Sequence, residues 1–85
     1  MIMRGSDLNG ALQSVVIDLR KQTGLGVVTF SNDIGINGVW EYEAGRRTIT
    51  LRVLSVYSNY FNIPVSEIVK MAETAYANKV RHNKE

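Results

Sequence analysis

The chain has no cysteine. Disulfides, thiolate metal sites and cysteine nucleophiles are excluded outright. It has one histidine, His82, placed in a polar tail. That removes the usual zinc ligand sets and histidine-based catalytic triads. No apolar run approaches the roughly 20 residues that span a bilayer. The opening Met1-Ile2-Met3-Arg4-Gly5-Ser6 lacks the apolar core of a signal peptide, so the expected compartment is the cytoplasm. The only proline is Pro64, and no glycine follows Gly45. The second half is therefore nearly free of helix breakers. No repeat, linker or low-complexity run interrupts the chain.

What is present is ordinary for a folded domain. Hydrophobic residues make up 45% and charged residues 21%, which argues against disorder. The 85 residues are expected to form a single domain, 1–85. A domain of this size buries only about 60–65% of the surface its unfolded chain exposes. The net charge of +2 permits a polyanionic partner without requiring one. No carboxylate pair, nucleophile–base couple or phosphate loop stands out. Asp33 with Glu41 or Glu43 can be brought together, but nothing positions a substrate. An enzyme is not expected, nor is a cofactor, a metal or a small-molecule ligand.

Between Asp7 and Thr23, Leu8, Leu12, Val15, Val16 and Leu19 recur at helical spacing on one face. Ser6 or Asp7 is placed to cap the start and Gly24 to end it. Arg20 and Lys21 suit the dipole of the last turn. Gly24 to Gly45 allows two readings. Val27–Phe30, Gly38–Tyr42 and Arg47–Leu54 have strand propensity, which gives an α-β-β-β-α module. The competing reading is two short helices around a turn at Gly35. From Thr48 to Asn62, Leu51, Leu54, Tyr57, Ser58 and Phe61 keep helical offsets, with Thr48 or Thr50 as cap. A last helix starts at Pro64, a favoured first helical position. Ile68, Val69, Ala72 and Tyr76 form its stripe, which is expected to end near Val80. Leu51, Leu54, Tyr57, Phe61, Ile63 and Ile68 are expected in the core.

Four groups of residues act jointly. Leu19-Arg20-Lys21-Gln22-Thr23-Gly24-Leu25 has the form L-R-x-x-x-G-L. Phe30-Ser31-Asn32-Asp33-Ile34-Gly35-Ile36 is like L-A-x-x-x-G-V, where a small residue and a later Gly let two helices meet. Tyr42-Glu43-Ala44-Gly45-Arg46-Arg47 is like I-E-x-G-x-R. Thr50-Leu51 leads through Leu54, Tyr57, Ser58, Phe61, Asn62 and Ile63 to Ser66-Glu67-Ile68-Val69, like V-S-x-D/E-x-L-L. With these spacings the chain resembles the Xre family, the lambda-repressor-like helix-turn-helix proteins of phages, plasmids and bacterial regulators. The likeness covers Val16 to Val69. The chain departs from the family in a shorter segment between Gly35 and Glu43. It also has Val27 where the family commonly has Gln.

The resemblance implies an all-α bundle of about five helices with a helix-turn-helix at Val27–Ala44. It implies sequence-specific binding of double-stranded DNA by a homodimer on a near-palindromic operator. The subtypes it suggests are Cro-like phage repressors, controller proteins and self-repressing antitoxins. Arg20 and Glu43 match a buried ion pair that orients the recognition helix; the plain alternative is two solvated charges. Arg46 and Arg47 suit phosphate contacts, or a cationic helix end. Val27 and Thr29 would open the second helix, where backbone N–H groups favour a phosphate. Asn37, Gly38, Trp40 and Glu41 fall on the base-reading side: Asn37 for adenine, Glu41 for cytosine, Trp40 for a sugar or thymine methyl. Trp40 is otherwise a core residue. Tyr60, Val65, Val69, Met71 and Tyr76 exceed what a small core needs and suggest a dimer seam. Alternatively, the last helix folds back over the first. Lys79, Arg81, His82 and Lys84 form a basic tail, solvated or a weak nucleic-acid arm. Two other functions remain open: the same fold binding protein, and an α-β-β-β-α inhibitor of a host factor.

Overall fold

The computed structural model describes residues 3–83 and contains five helices. They are α1 (Gly5–Thr23), α2 (Val27–Ile34), α3 (Val39–Glu43), α4 (Leu51–Phe61) and α5 (Val65–Asn83). No strand occurs among the described residues. The strand reading of Val27–Phe30, Gly38–Tyr42 and Arg47–Leu54 is corrected. β-propensity is a preference of about 1 kcal/mol at most, and burial outweighs it here. In the helical register Phe30, Ile34 and Val39 all reach the core.

Each helix supplies a fully buried side chain. Val16 and Leu19 come from α1, Phe30 from α2, Val39 from α3, Tyr57 from α4 and Ile68 from α5. Fully burying one such side chain is worth about 1.5–3 kcal/mol. Aromatic edges knit α2 to α4: Phe30 lies 5.9 Å from Tyr57 and 5.4 Å, edge-on, from Tyr60. The Tyr60 hydroxyl also donates to the Asp33 carboxylate. That bond raises the Tyr60 pKa above the usual phenol value.

Several boundaries differ from the expectation. Neither Ser6 nor Asp7 caps α1. The helix already starts at Gly5, with Leu8 N–H bonded to the Arg4 carbonyl at 3.0 Å. Asp7 instead sits in the first turn, where a carboxylate suits the helix dipole. Thr50, not Thr48, caps α4, accepting from Val53 N–H at 3.3 Å. Pro64 precedes α5 rather than opening it. Its carbonyl accepts from Glu67 and Ile68, which makes it the capping residue.

Leu51 is not core; it is 72% exposed. As the first residue of α4 it projects past the packed turn. The inner face of the helix is Val53, Leu54 and Tyr57, and Ile49 from the preceding loop fills the place next to them. Ile63 and Phe61 are half-buried against the core.

The long α5 packs along α1. Val65, Val69, Met71 and Tyr76 thereby lie partly buried on the core. Among the described residues, the large apolar side chains left exposed are elsewhere: Val28, Trp40, Leu51 and Tyr60. Among the described residues no helix is long and apolar enough to cross a membrane.

Candidate nucleic-acid interface

The site is built on α2, α3 and the four residues between them. Gly35 ends α2 at φ 80°, in the left-handed region that a non-glycine residue enters only under strain. Ser31 then closes the turn from inside. Its hydroxyl donates to the Ile36 carbonyl at 2.6 Å and accepts from Val39 N–H at 3.1 Å. The small residue anticipated here is thus also a hydrogen-bonding bridge. It holds the first turn of α3 against the middle of α2, while Val39 anchors α3 in the core.

The back of α3 is held by α1. Arg20 and Glu43 form the expected pair. Arg20 Nε donates to Glu43 Oε2 at 2.7 Å and Nη2 to Oε1 at 3.0 Å. The third direction of the guanidinium is satisfied by the Leu25 carbonyl at 3.0 Å. The side chains are only 16% and 11% exposed. The hydrogen bond to Glu43 raises the Arg20 pKa further, with desolvation opposing it. Gln13 Nε2 donates to the Glu43 carbonyl at 2.9 Å, and Asn9 accepts from Ile49 N–H at 2.8 Å. Neither residue was singled out from the sequence. The signal was available: Asn9, Gln13 and Arg20 are offset by four and seven, one polar stripe along α1. That stripe fixes both the end of α3 and the loop after it.

The front of α3 faces outward. Trp40 is 49% exposed and is not a core residue. The Arg46 guanidinium lies over its ring, 5.5 Å from the centroid. Val28, 71% exposed, faces the same side. A shallow groove of about 230 Å³ joins Val27, Val28, Asn32, Asn37, Gly38 and Trp40. Three of the four base-reading candidates line it. Glu41 does not. Its carboxylate turns to Arg47, 3.5 Å away, and lies over Gly38. Gly38 is doubly constrained: its φ is 76°, and an added Cβ would meet Glu41 Oε1 at 2.8 Å.

A larger cleft of about 660 Å³ opens beside this groove, between the turn and the start of α4. Asn37 belongs to both. Arg47 and Arg52 flank the cleft, with Tyr42 and Thr50 in its wall. Arg52 completes an arginine set with Arg46 and Arg47 that the sequence reading stopped short of. Thr29 is exposed on α2 but lines neither opening. No side chain caps α2, so backbone N–H groups at Val27–Thr29 remain open to an anion. Of the basic tail, Lys79 is exposed. The side chains of Arg81 and His82, and Lys84 as a whole, lie outside the described residues.

No protein-family model, no curated protein and no solved structure matches the chain. The functional reading therefore stands on this geometry.

Proposed function

We propose that the chain binds duplex DNA through α2 and α3, acting as a helix-turn-helix, in the manner of the Xre family it resembles. The observation that carries the reading is the two-sidedness of α3. Its back is clamped by Arg20, Glu43 and Gln13. Its front offers Trp40, beside Asn37 and Val28 and flanked by Arg46, Arg47 and Arg52. A rigidly held apolar and amide surface bordered by guanidinium groups is what reading bases between two phosphate strands requires.

In this reading Asn37 pairs with adenine, Trp40 meets a sugar or thymine methyl, and Glu41 accepts from cytosine once its carboxylate leaves Arg47. Gly38 lets the backbone come close. Arg46 and Arg47, the amide end of α2 at Val27 and the Thr29 hydroxyl take phosphates, and Arg52 joins them. The biological role is a small transcriptional regulator of a phage, plasmid or other mobile element, working in the cytoplasm. It acts as a dimer, placing two α3 helices in successive major grooves of a near-palindromic operator. The seam draws on the partly open residues that flank the buried Ile68–Ala72 line of α5, with Val65, Val69 and Tyr76 on one side of it and Met71 on the other.

The test is binding to duplex DNA, including its own upstream region, as a function of salt. Each neutralised phosphate contributes a slope of about −0.9 in log K against log salt. Arg46, Arg47, Arg52 and the end of α2 lead to about −3 to −4 per protomer. A flat response sinks the proposal. A second reading has one observation behind it: the Glu41–Arg47 pair neutralises one of the guanidinium groups on the rim near exposed Trp40. That suits a protein surface, and absence of any mobility shift at low salt would favour it.

A further inference from the structure

α3 carries two carboxylates with opposite fates. Glu43 is turned inward onto Arg20. Glu41 faces the rim and is paired with Arg47 at 3.5 Å. Glu41 is also the third helical residue after Gly38, the position from which an acidic side chain folds back over a helix start. The absence of a side chain at Gly38 makes the room, since a Cβ there would stand 2.8 Å from Glu41 Oε1. The free protein therefore holds one guanidinium of its rim neutralised by its own acid. Arg47 meanwhile rests over the Tyr42 ring, 5.9 Å from its centroid, beside the larger cleft. Partly exposed ion pairs of this kind are weakly held and exchange partners readily.

Resting on the DNA-binding reading above, we propose that the Glu41–Arg47 pair is a base-dependent gate. When a cytosine stands opposite Glu41, its N4 amino group donates to the carboxylate. Arg47 is then released to a backbone phosphate. Opposite any other base the carboxylate keeps Arg47, and its own charge repels the strand. The preferred sequence thus gains a phosphate contact as well as a base contact. Discrimination is built into a residue pair that otherwise weakens non-specific binding.

The experiment uses the chain and its Glu41→Gln and Arg47→Gln variants. Each is titrated by fluorescence anisotropy, across a salt series, against a random-sequence duplex and against a duplex enriched from a randomised pool by the unsubstituted chain. On random duplex, Glu41→Gln is expected to bind more tightly, with a slope steeper by about 0.9, one phosphate. On the enriched duplex the unsubstituted chain should match that steeper slope, while Arg47→Gln stays shallow on both. The enriched sequences should share a cytosine that a parallel enrichment with Glu41→Ala, which keeps no acceptor, loses. Equal slopes for the chain and Glu41→Gln on random duplex overturn the gate and leave DNA binding standing. So does a cytosine preference that survives Glu41→Ala. If none of the three binds any duplex at low salt, DNA binding itself fails and the gate with it. Both substituted positions lie at the protein rim, and circular dichroism verifies that the variants are folded.

Discussion

Ser31 shows how much a single position does in this site. The Ile36 carbonyl and Val39 N–H both meet its hydroxyl. Ser31→Ala keeps the small size that the close approach needs but leaves both groups without that partner. The expected loss is about 1–3 kcal/mol, read from urea unfolding. Arg20→Ala should cost about 3 kcal/mol, near the lower end for a broken buried pair because the side chains keep some exposure. Arg20→Lys should recover only part of this, since an ammonium cannot reproduce the two-pronged contact. Full stability in Arg20→Ala would mean that the pair does not hold α3. The sequence made Arg20 and Glu43 legible because their spacing matched a pattern. Gln13 was legible only as part of the polar stripe with Asn9 and Arg20; its partner is a backbone carbonyl, which leaves no mark in a sequence. Trp40 had two readings: its apolar character suited the core, while its place after the turn put it on the outer face, and it is 49% exposed.

At the scale of elements, periodicity was informative where helices are long. α1 and α5 follow their apolar stripes closely, and Thr50 behaves as the cap its chemistry suggests. Legibility falls for α2 and α3. Eight and five residues are too few for a period to rise above local propensity, and Val27, Val28 and Val39 favour strands. What selects helices there is long-range: the pocket that receives Phe30, Ile34 and Val39 is made by other elements. Leu51 failed for a related reason. Its offset from Leu54 fits a helical stripe, but the stripe continues through Val53 and Tyr57, and Ile49 takes the place Leu51 was expected to fill. Leu51→Ser should therefore change stability by no more than about 0.5 kcal/mol. Leu54→Ala, one turn away, should cost about 2–5 kcal/mol. Comparable losses for both would show that α4 is rotated from this orientation.

For the whole molecule, the alkaline limb of stability tests the packing of all five helices at once. Tyr57 of α4 is fully buried in the shared core, near Phe30 of α2, Arg20 of α1 and Glu43 of α3, and burial holds its phenol pKa well above the usual 10.0. Nearby Glu43 pushes in the same direction. Its hydroxyl has no hydrogen-bond partner among the described residues. The protonated phenol is thus favoured in the folded state over the unfolded one. Below pH 10 both states are protonated and stability is fully present. Above pH 10 the unfolded chain ionises while the folded one resists, so stability falls with rising pH at about 1.4 kcal/mol per unit for this group. Tyr60, whose phenol donates to Asp33, adds to the same limb. Tyr57→Phe removes the ionisable group and an unpartnered hydroxyl while keeping the ring against Phe30. It should leave stability at neutral pH unchanged or slightly higher and make the fall above pH 10 shallower. Urea midpoints measured across that range for Tyr57→Phe and for Tyr60→Phe separate the core ring from the surface one. An alkaline limb that Tyr57→Phe leaves untouched would place Tyr57 in contact with solvent, which a core formed jointly by the five helices does not allow.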